Sequence, residues 1–592
     1  MQWSPQRRVH EIAPDEIFLD SSNLPGHEAS QFEGRVVAPL SRNSVFGVGI
    51  VFFLIVLAFC IRALSLEVIQ GASYDRISRE NTLERSVLFV TRGLILDRNG
   101  KELAWNEVPT ALEVNPAAGE ARPAYGGAST TLAQSPGEAP FAFRKYTTLP
   151  GLAHILGFVQ YPKADKRGAW WREKYVGMSG SELAFEALLE GVNGSRMVET
   201  DARGVLQREN IVTPPQNGAD LRLTIDADIQ SKLYTLLSAH AREQKFAGGA
   251  AVIMDVHTGQ LLAITSFPEY DNNAFTAGDI IAARAAMSDP HTPLLNRAVS
   301  GLYAPGSIVK PIFAAAALNE GIISPDKQIL STGAISIPNP YDAAHPSLFR
   351  DWTVHGLVDM RTALAVSSDE YFYTIGGGYG AQQGLGIAKI DEYARRFGLA
   401  TTTGIALRGE AGGVIPTPAW KAHVFGTDDP WRIGDTYHTA IGQYGFQITP
   451  LQAVRFIAAI ANGGKLLTPQ LTASLVRSQP PSEIVGIDIP DPYLQIVREG
   501  MRLAVTSDRK DATVKFLNIP QIHIAAKTGT AQIGVHNEYV NSWSVGFWPA
   551  ENPHYAYAVV LERAPANTLS GAAHAMLPFF QWLAANHPEY VN

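Results

Sequence analysis

The chain has 592 residues, 46% of them hydrophobic, which is too long for one ordinary core and apolar enough to fill at least two. A formal net charge of −8, with acids and bases interspersed, offers no basic face to a phosphate backbone and argues against nucleic acid as a partner. The lone cysteine, Cys60, cannot form an intrachain disulfide and leaves the redox compartment open.

Residues 1–44 carry scattered prolines, glycines and acids with no sustained period, and read as a mobile tail. From Val45 to Leu64 the chain is almost wholly apolar, with Arg62 its single charge; about twenty such residues cross roughly 30 Å of hydrocarbon. This predicts a membrane anchor over residues 45–66. A cleaved signal peptide fits less well, because a long tail precedes the run and no small-x-small cleavage site follows it. Phe59 also stands where lipid attachment at Cys60 would need a small residue. Arg35 and Arg42 flank one side and Arg62, Arg76 and Arg79 the other, so the positive-inside count leaves the orientation open.

Residues 67–218 predict a small α+β module. TRGLILDRNGKELAWN reads as two strands joined by a turn at Asn99-Gly100. Pro116 to Pro140, rich in Gly, Ala, Pro, Ser and Thr, reads as a loop or linker. GMSGSELAFEALLEGVNG has helical spacing, and TDARGVLQREN looks like a second hairpin. A boundary near Gly218 follows.

Residues 219–592 form the larger domain. Asp226 is a plausible N-cap for the helix DADIQSKLYTLLSAHAREQ. AAVIMDVHTGQLLAITSFP predicts a buried strand, a turn and a second strand. Near the end, IHIAAKTGTAQIG, SWSVGFWPA and HYAYAVVLE are rich in β-branched and aromatic residues and close in sequence, the pattern of an antiparallel meander. AHAMLPFFQWLAAN would lay its aromatic face on that sheet. The fold class is therefore α+β: a single transmembrane helix, a small α+β pedestal module and a catalytic domain with an antiparallel sheet flanked by helices.

Three short motifs carry chemistry. Ser-x-x-Lys occurs three times, but Ser324-Pro325-Asp326-Lys327 lies in a loop and Ser507-Asp508-Arg509-Lys510 is wholly polar, so both read as chance. Ser307-Ile308-Val309-Lys310 follows a Pro305-Gly306 turn and opens an apolar helix, on which positions i and i+3 share a face. Lys310 would lie against Ser307 in apolar surroundings that lower its pKa from roughly 10.4 and let it accept the hydroxyl proton. Taken alone, a helix cap with a solvated lysine explains the tetrad as simply.

About sixty residues on, DMRTALAVSSDEYFYTIG is expected as one helical segment bearing Ser367 and Asp369. Ser367 suits a proton relay between Lys310 and a leaving amine, and Asp369 a bond to Lys310 or to a substrate amide. Lys527-Thr528-Gly529-Thr530 sits in an otherwise apolar strand, where Gly529 removes a side chain for a ligand to approach. Lys527 with the hydroxyls of Thr528 and Thr530 would address a substrate carboxylate, and the amides of Ser307 and Thr530 would form an oxyanion hole. Singly, an interior cap and a solvated strand-end lysine account for the second and third motifs; all three in this order make coincidence improbable. Asp342, His345, Asp351 and His355 form a loose cluster without regular ligand spacing, so no metal is expected.

With these motifs the chain resembles a class B penicillin-binding protein, a membrane-anchored D,D-transpeptidase of the penicilloyl-serine transferase (β-lactamase-like) superfamily. RGLILDRNG, GSELAFEALLEGVNG, TDARG, LTIDADIQ, YAPGSIVKP, SSDEYFY, ITPLQA and AAKTGTAQ carry the resemblance over nearly everything after the tail. Phe349-Arg350-Asp351-Trp352 and the final Asp of the second motif look most like the elongation group, penicillin-binding protein 2. Tyr444 stands where that group usually has Gly, and the Pro116–Pro140 linker replaces a longer pedestal segment.

The resemblance implies acyl transfer on peptidoglycan stem pentapeptides, with Ser307 attacking the penultimate D-alanine and an amine of a neighbouring stem taking the acyl group. It also implies no cofactor and covalent inhibition by β-lactam antibiotics. Implied partners are a SEDS-family glycan polymerase and other cell-elongation proteins in the membrane. The tail would be cytoplasmic, the inner membrane crossed once, and the enzyme extracytoplasmic, in a Gram-negative cell periplasmic. A septal class B role, a D,D-carboxypeptidase or β-lactamase-type hydrolase, a β-lactam-sensing receptor and a catalytically silent scaffold are the alternatives.

Overall fold

The structure, a computed structural model, describes residues 42–71, 83–107, 141–165, 169–200, 206–339, 342, 344–472 and 485–591. Residues 1–41 of the expected tail, the Pro116–Pro140 linker and the turn of the second hairpin lie outside the described residues. In the N-terminal unit, an α-helix runs over Arg42–Leu64 and continues as a π-helical turn over Ser65–Ile69. Its apolar side chains are bare on every side, with Phe46, Val48, Phe52, Phe53 and Phe59 all more than 60% exposed. A helix whose described apolar side chains are exposed all round is suited to lipid, and Val45–Ile69 is long enough to cross a membrane.

In the second unit, a five-stranded antiparallel sheet organises the larger domain: β1 (Gly248–Asp255), β2 (Leu261–Phe267), β3 (Ala525–Ile533), β4 (Tyr539–Trp548) and β5 (Tyr555–Pro565), in the order β2-β1-β5-β4-β3. Both faces are buried. Along β1, Ala250, Val252 and Met254 enter one core while Ala251 and Ile253 enter the other, the alternation a pleated strand imposes. Helix α1 (Ala227–Glu243) and the C-terminal helix Ala572–Asn586 belong to the second core, as their apolar faces predict. Asp226 caps α1, accepting the N–H groups of Asp228 and Ile229. In the first core lies Pro450–Ala461, buried over its whole length, with a reciprocal Thr449–Gln452 capping box fixing its start.

The smaller module is held by charge as well as packing. Ile95–Leu96 and Glu102–Glu107 pair as the expected hairpin, and Leu221–Arg222 adds to it in parallel. Beside this sheet, Glu182 receives Arg92 Nε at 2.5 Å and Arg144 Nε at 2.7 Å, with all three side chains removed from solvent. Tyr146 Oη donates to the same carboxylate at 3.1 Å. Side chains then tie this module to the catalytic domain: Glu269 accepts the backbone N–H groups of Gly151 and Ala153, and Asn273 exchanges hydrogen bonds with the Tyr146 backbone.

Removing the central carboxylate leaves the buried Arg144 without a carboxylate partner and Arg92 with Glu186 alone, a loss of roughly 3–5 kcal/mol. Glu182→Ala is therefore expected to lower the melting temperature and open the module to limited proteolysis; an unchanged melt would contradict the role given to this ion cluster.

Candidate active site

Ser307 sits in a 3-10 turn, Gly306–Val309, that runs directly into helix α2 (Lys310–Asn319). Everything from Lys310 to Leu318 is buried, so the lysine three residues after the serine points into the protein. The turn exists because three glycines let three backbones close on one another. Gly306 (φ +56°) donates its N–H to Gly442 O at 2.9 Å. A Cβ on Gly306 would stand 2.8 Å from Thr530 O, and one on Gly442 would collide with the Gly306 carbonyl. A Cβ on Gly529 would lie 2.7 Å from Pro305 O and 2.9 Å from Ile308 Cγ2. The space expected for a ligand at Gly529 is thus taken by the serine's own turn.

The segment expected as one helix around the second motif is two. Helix α3 (Met360–Val366) ends at Ser367, whose left-handed backbone (φ +57°) reverses the chain, and Ser368 caps α4 (Asp369–Gly377) by accepting Tyr371 N–H. Such a conformation costs a non-glycine residue of order 1–3 kcal/mol and is held only where its surroundings insist on it. The break places Ser367 Oγ among the two motif lysines. Lys527 Nζ donates to it at 2.8 Å, and Lys310 Nζ lies 3.4 Å away. Lys310 also donates to Ser367 O at 2.7 Å and to Asp369 Oδ1 at 2.6 Å.

The apolar nest predicted for Lys310 is therefore corrected: its amine is buried but polar, paired with a carboxylate, with the Phe372 ring 5.3 Å away. Lys527, fully buried in β3, is the amine that burial pushes well below its ordinary range, helped by the Lys310 ammonium beside it. Its remaining hydrogen bond goes to Thr528 O at 2.8 Å. No hydrogen bond joins Ser307 Oγ to another described residue.

Ser307, Ser367 and Asp369 line one cleft of about 1120 Å³, together with Thr528, Gly529, Thr530, Tyr373, His438 and Tyr444, whereas the fully buried Lys310 and Lys527 are not part of its wall. Every predicted site residue is brought to this region. Ser324 and Lys327 lie exposed in the loop after α2, away from it. The loose acidic and histidine cluster is split. Asp342 and His345 pair at the surface, whereas Asp351 and His355 are buried. Asp351 accepts Ser368 Oγ at 2.7 Å and Glu370 N–H at 2.9 Å, anchoring the start of α4. Burial alone would raise this carboxyl; the contacts from His355 and the Glu370 amide overturn that and hold it at about 2. The anchoring role of Asp351 and the close packing at Gly442 escaped the sequence reading, since their partners, Ser368, Glu370 and Gly306, are not local in sequence.

Residues 249–580 match the family described as penicillin binding protein transpeptidase domain, and residues 140–223 the penicillin-binding protein dimerisation domain. Peptidoglycan D,D-transpeptidase MrdA of Salmonella typhimurium is 32% identical over 463 residues, covering 72% of this chain and 71% of the relative. Peptidoglycan D,D-transpeptidase FtsI of Escherichia coli is 26% identical over 439 residues. Among solved structures, Pseudomonas aeruginosa PBP2 in complex with WCK 5153 aligns with a TM-score of 0.64 and 27% identity, over 86% of this chain and 98% of that one. PBP2 of Helicobacter pylori in complex with MreC aligns with a TM-score of 0.67 and 25% identity, over 85% and 99%. The chain belongs to the penicillin-binding protein transpeptidase family, as a class B member of the elongation group and a serine-type D-Ala-D-Ala transpeptidase.

Because Gly529 faces the nucleophile turn, Gly529→Ala should push Pro305 and Ile308 away and move Ser307 with them. Displacements on the ångström scale cost about 100-fold in rate. The measurement is the acylation rate with a fluorescent penicillin; a parent-like rate would show that the turn does not depend on this contact.

Proposed function

We propose that the protein cross-links stem peptides during cell elongation through an acyl-enzyme on Ser307. The observation that carries this reading is the convergence of Lys310, Ser367, Asp369 and Lys527, from segments up to 217 residues apart, on one buried cluster within hydrogen-bond reach. Burial and the charge of Lys310 push the Lys527 amine well below its ordinary range, so Lys527 is the amine readier to give up a proton.

In the proposed cycle Lys310 takes the Ser307 proton as Oγ attacks the carbonyl of the penultimate D-alanine. The amides of Ser307 and Thr530 receive the developing oxyanion. Ser367 Oγ passes a proton between Lys310 and Lys527, and onward to the departing D-alanine amine as the peptide bond breaks. Thr528 and Thr530 hydroxyls, with Lys527, hold the terminal carboxylate, and Asp369 keeps Lys310 in place. Deacylation reverses the sequence, with an amine of a neighbouring stem replacing D-alanine. β-Lactams would be trapped at the acyl-enzyme.

The reading extends to the cell. The bare apolar helix supports a single-pass anchor over residues 45–66, with the tail of residues 1–44 in the cytoplasm. The pedestal (67–218) and transpeptidase domain (219–592) then lie outside the inner membrane, in the periplasm of a Gram-negative cell. A solved peptidoglycan synthase complex that coordinates polymerization and crosslinking aligns over 92% of this chain and 98% of that one, with 26% identity and a TM-score of 0.68. It supports a glycan-polymerising partner, for which a SEDS-family polymerase in the membrane is our candidate, and the Helicobacter complex supports MreC-like elongation proteins.

Given a pentapeptide donor and an amine acceptor, the full-length protein should form more cross-linked product than hydrolysed tetrapeptide. Ser307→Ala should abolish both, a loss of more than about 1000-fold. Hydrolysis dominating over transfer, or turnover surviving the substitution, would refute the proposal.

A further inference from the structure

Behind the second motif lies a buried charge relay that the reaction scheme above does not use. His355, whose side chain is wholly removed from solvent, sits between two carboxylates. Its Nδ1 is 2.8 Å from Asp511 Oδ2, and its Nε2 is 3.4 Å from Asp351 Oδ1, an electrostatic contact without hydrogen-bond geometry. On the outer side Arg509 grips Asp511 through Nε (3.0 Å) and Nη2 (2.7 Å) and donates to His355 O at 2.8 Å. On the inner side Asp351 reaches Ser368 Oγ and Glu370 N–H, the two groups that begin α4. Trp352, edge-on to the His355 ring at 5.0 Å, ties its indole N–H to Val366 O, the last residue of α3.

We propose that His355 is a positioning residue for acyl transfer: clamped between Asp511 and Asp351, it fixes the Asp351 carboxylate that shapes the Ser367–Ser368–Asp369 turn around Lys310. The inference rests on the acyl-transfer reading and adds to it a residue that touches neither substrate nor reacting atoms. The geometry asks for an imidazolium. A neutral ring has one N–H and would turn a lone pair toward one of the two carboxylates, whereas a protonated ring faces both with positive charge. Burial works against that charge, and the Asp351 and Asp511 contacts outweigh it, so the ring holds its proton above its ordinary range. The charged groups around the relay are Asp351, Asp511 and Arg509, with Lys310 and Asp369 beyond Asp351.

The sign follows. With the pKa raised, the clamp is complete at low pH and is lost as pH rises through the raised value. Asp511→Asn removes one of the two carboxylates, lowers that value, and starts the loss at lower pH.

The test measures fluorescent-penicillin acylation of the full-length protein in detergent across pH 5 to 10, with melting temperatures alongside. His355→Gln is expected to acylate at least tenfold more slowly at neutral pH. In Asp511→Asn the alkaline limb of the rate profile should move toward lower pH by about one unit, which a purely structural role would not cause. A parent-like rate in His355→Gln, or an unmoved alkaline limb in Asp511→Asn, overturns the proposal; if His355→Gln fails to fold, the Asp511→Asn profile decides alone. Adduct formation in the parent keeps the acyl-transfer reading standing whichever way the variants fall.

Discussion

Two buried lysines and one half-buried carboxylate, gathered around a single serine hydroxyl, are the constraint from which the rest of the site follows. In water both amines would hold their protons until roughly pH 10.4 and offer no base at neutrality. Lys310 is instead pinned by Asp369 and the Ser367 carbonyl, while Lys527 is driven down by burial and by its neighbour's charge. Ser367 Oγ stands between them. Ser367 Oγ thus joins the two amines within hydrogen-bond reach, and Lys310 meets polar partners rather than an apolar pocket.

Holding such a cluster requires a frame that does not give. The sheet is buried on both faces, and the nucleophile's turn is closed by backbone-to-backbone approach at Gly306, Gly442 and Gly529, where no side chain can flex to absorb a displacement. The strained Ser367 is kept by α3 and α4 on either side and by Asp351 beneath the start of α4. On the far side, the smaller module is joined to the catalytic domain through Glu269 and Asn273, so the two are fastened at fixed points rather than by a linker alone.

Much of this was legible before any coordinates. Two apolar runs either side of a turn mark β1 and β2, a cap marks α1, and the three motifs name the groups that meet at the site. Their order mattered because each motif alone had an ordinary explanation. What could not be read was orientation. Apolar neighbours in sequence implied an apolar nest for Lys310, yet its partners come from 57 and 59 residues away. Helical periodicity ran through the second motif because both short helices share it, and nothing local announces that Ser367 turns left-handed. Gly529 is read from sequence as a place where a ligand approaches, and sequence does not say that the backbone closing on it is the serine's own turn. Asp351 and His355 drew attention as possible metal ligands, when their meaning lay with Asp511, more than 150 residues downstream.

The most direct measurement is a mass map of the protein after brief exposure to labelled penicillin, in which proteolytic peptides are searched for the added mass. The account predicts one modified peptide, carrying the label on Ser307. A label on Ser324, Ser507 or any other side chain, or persistent labelling once Ser307 is replaced by alanine, would contradict it.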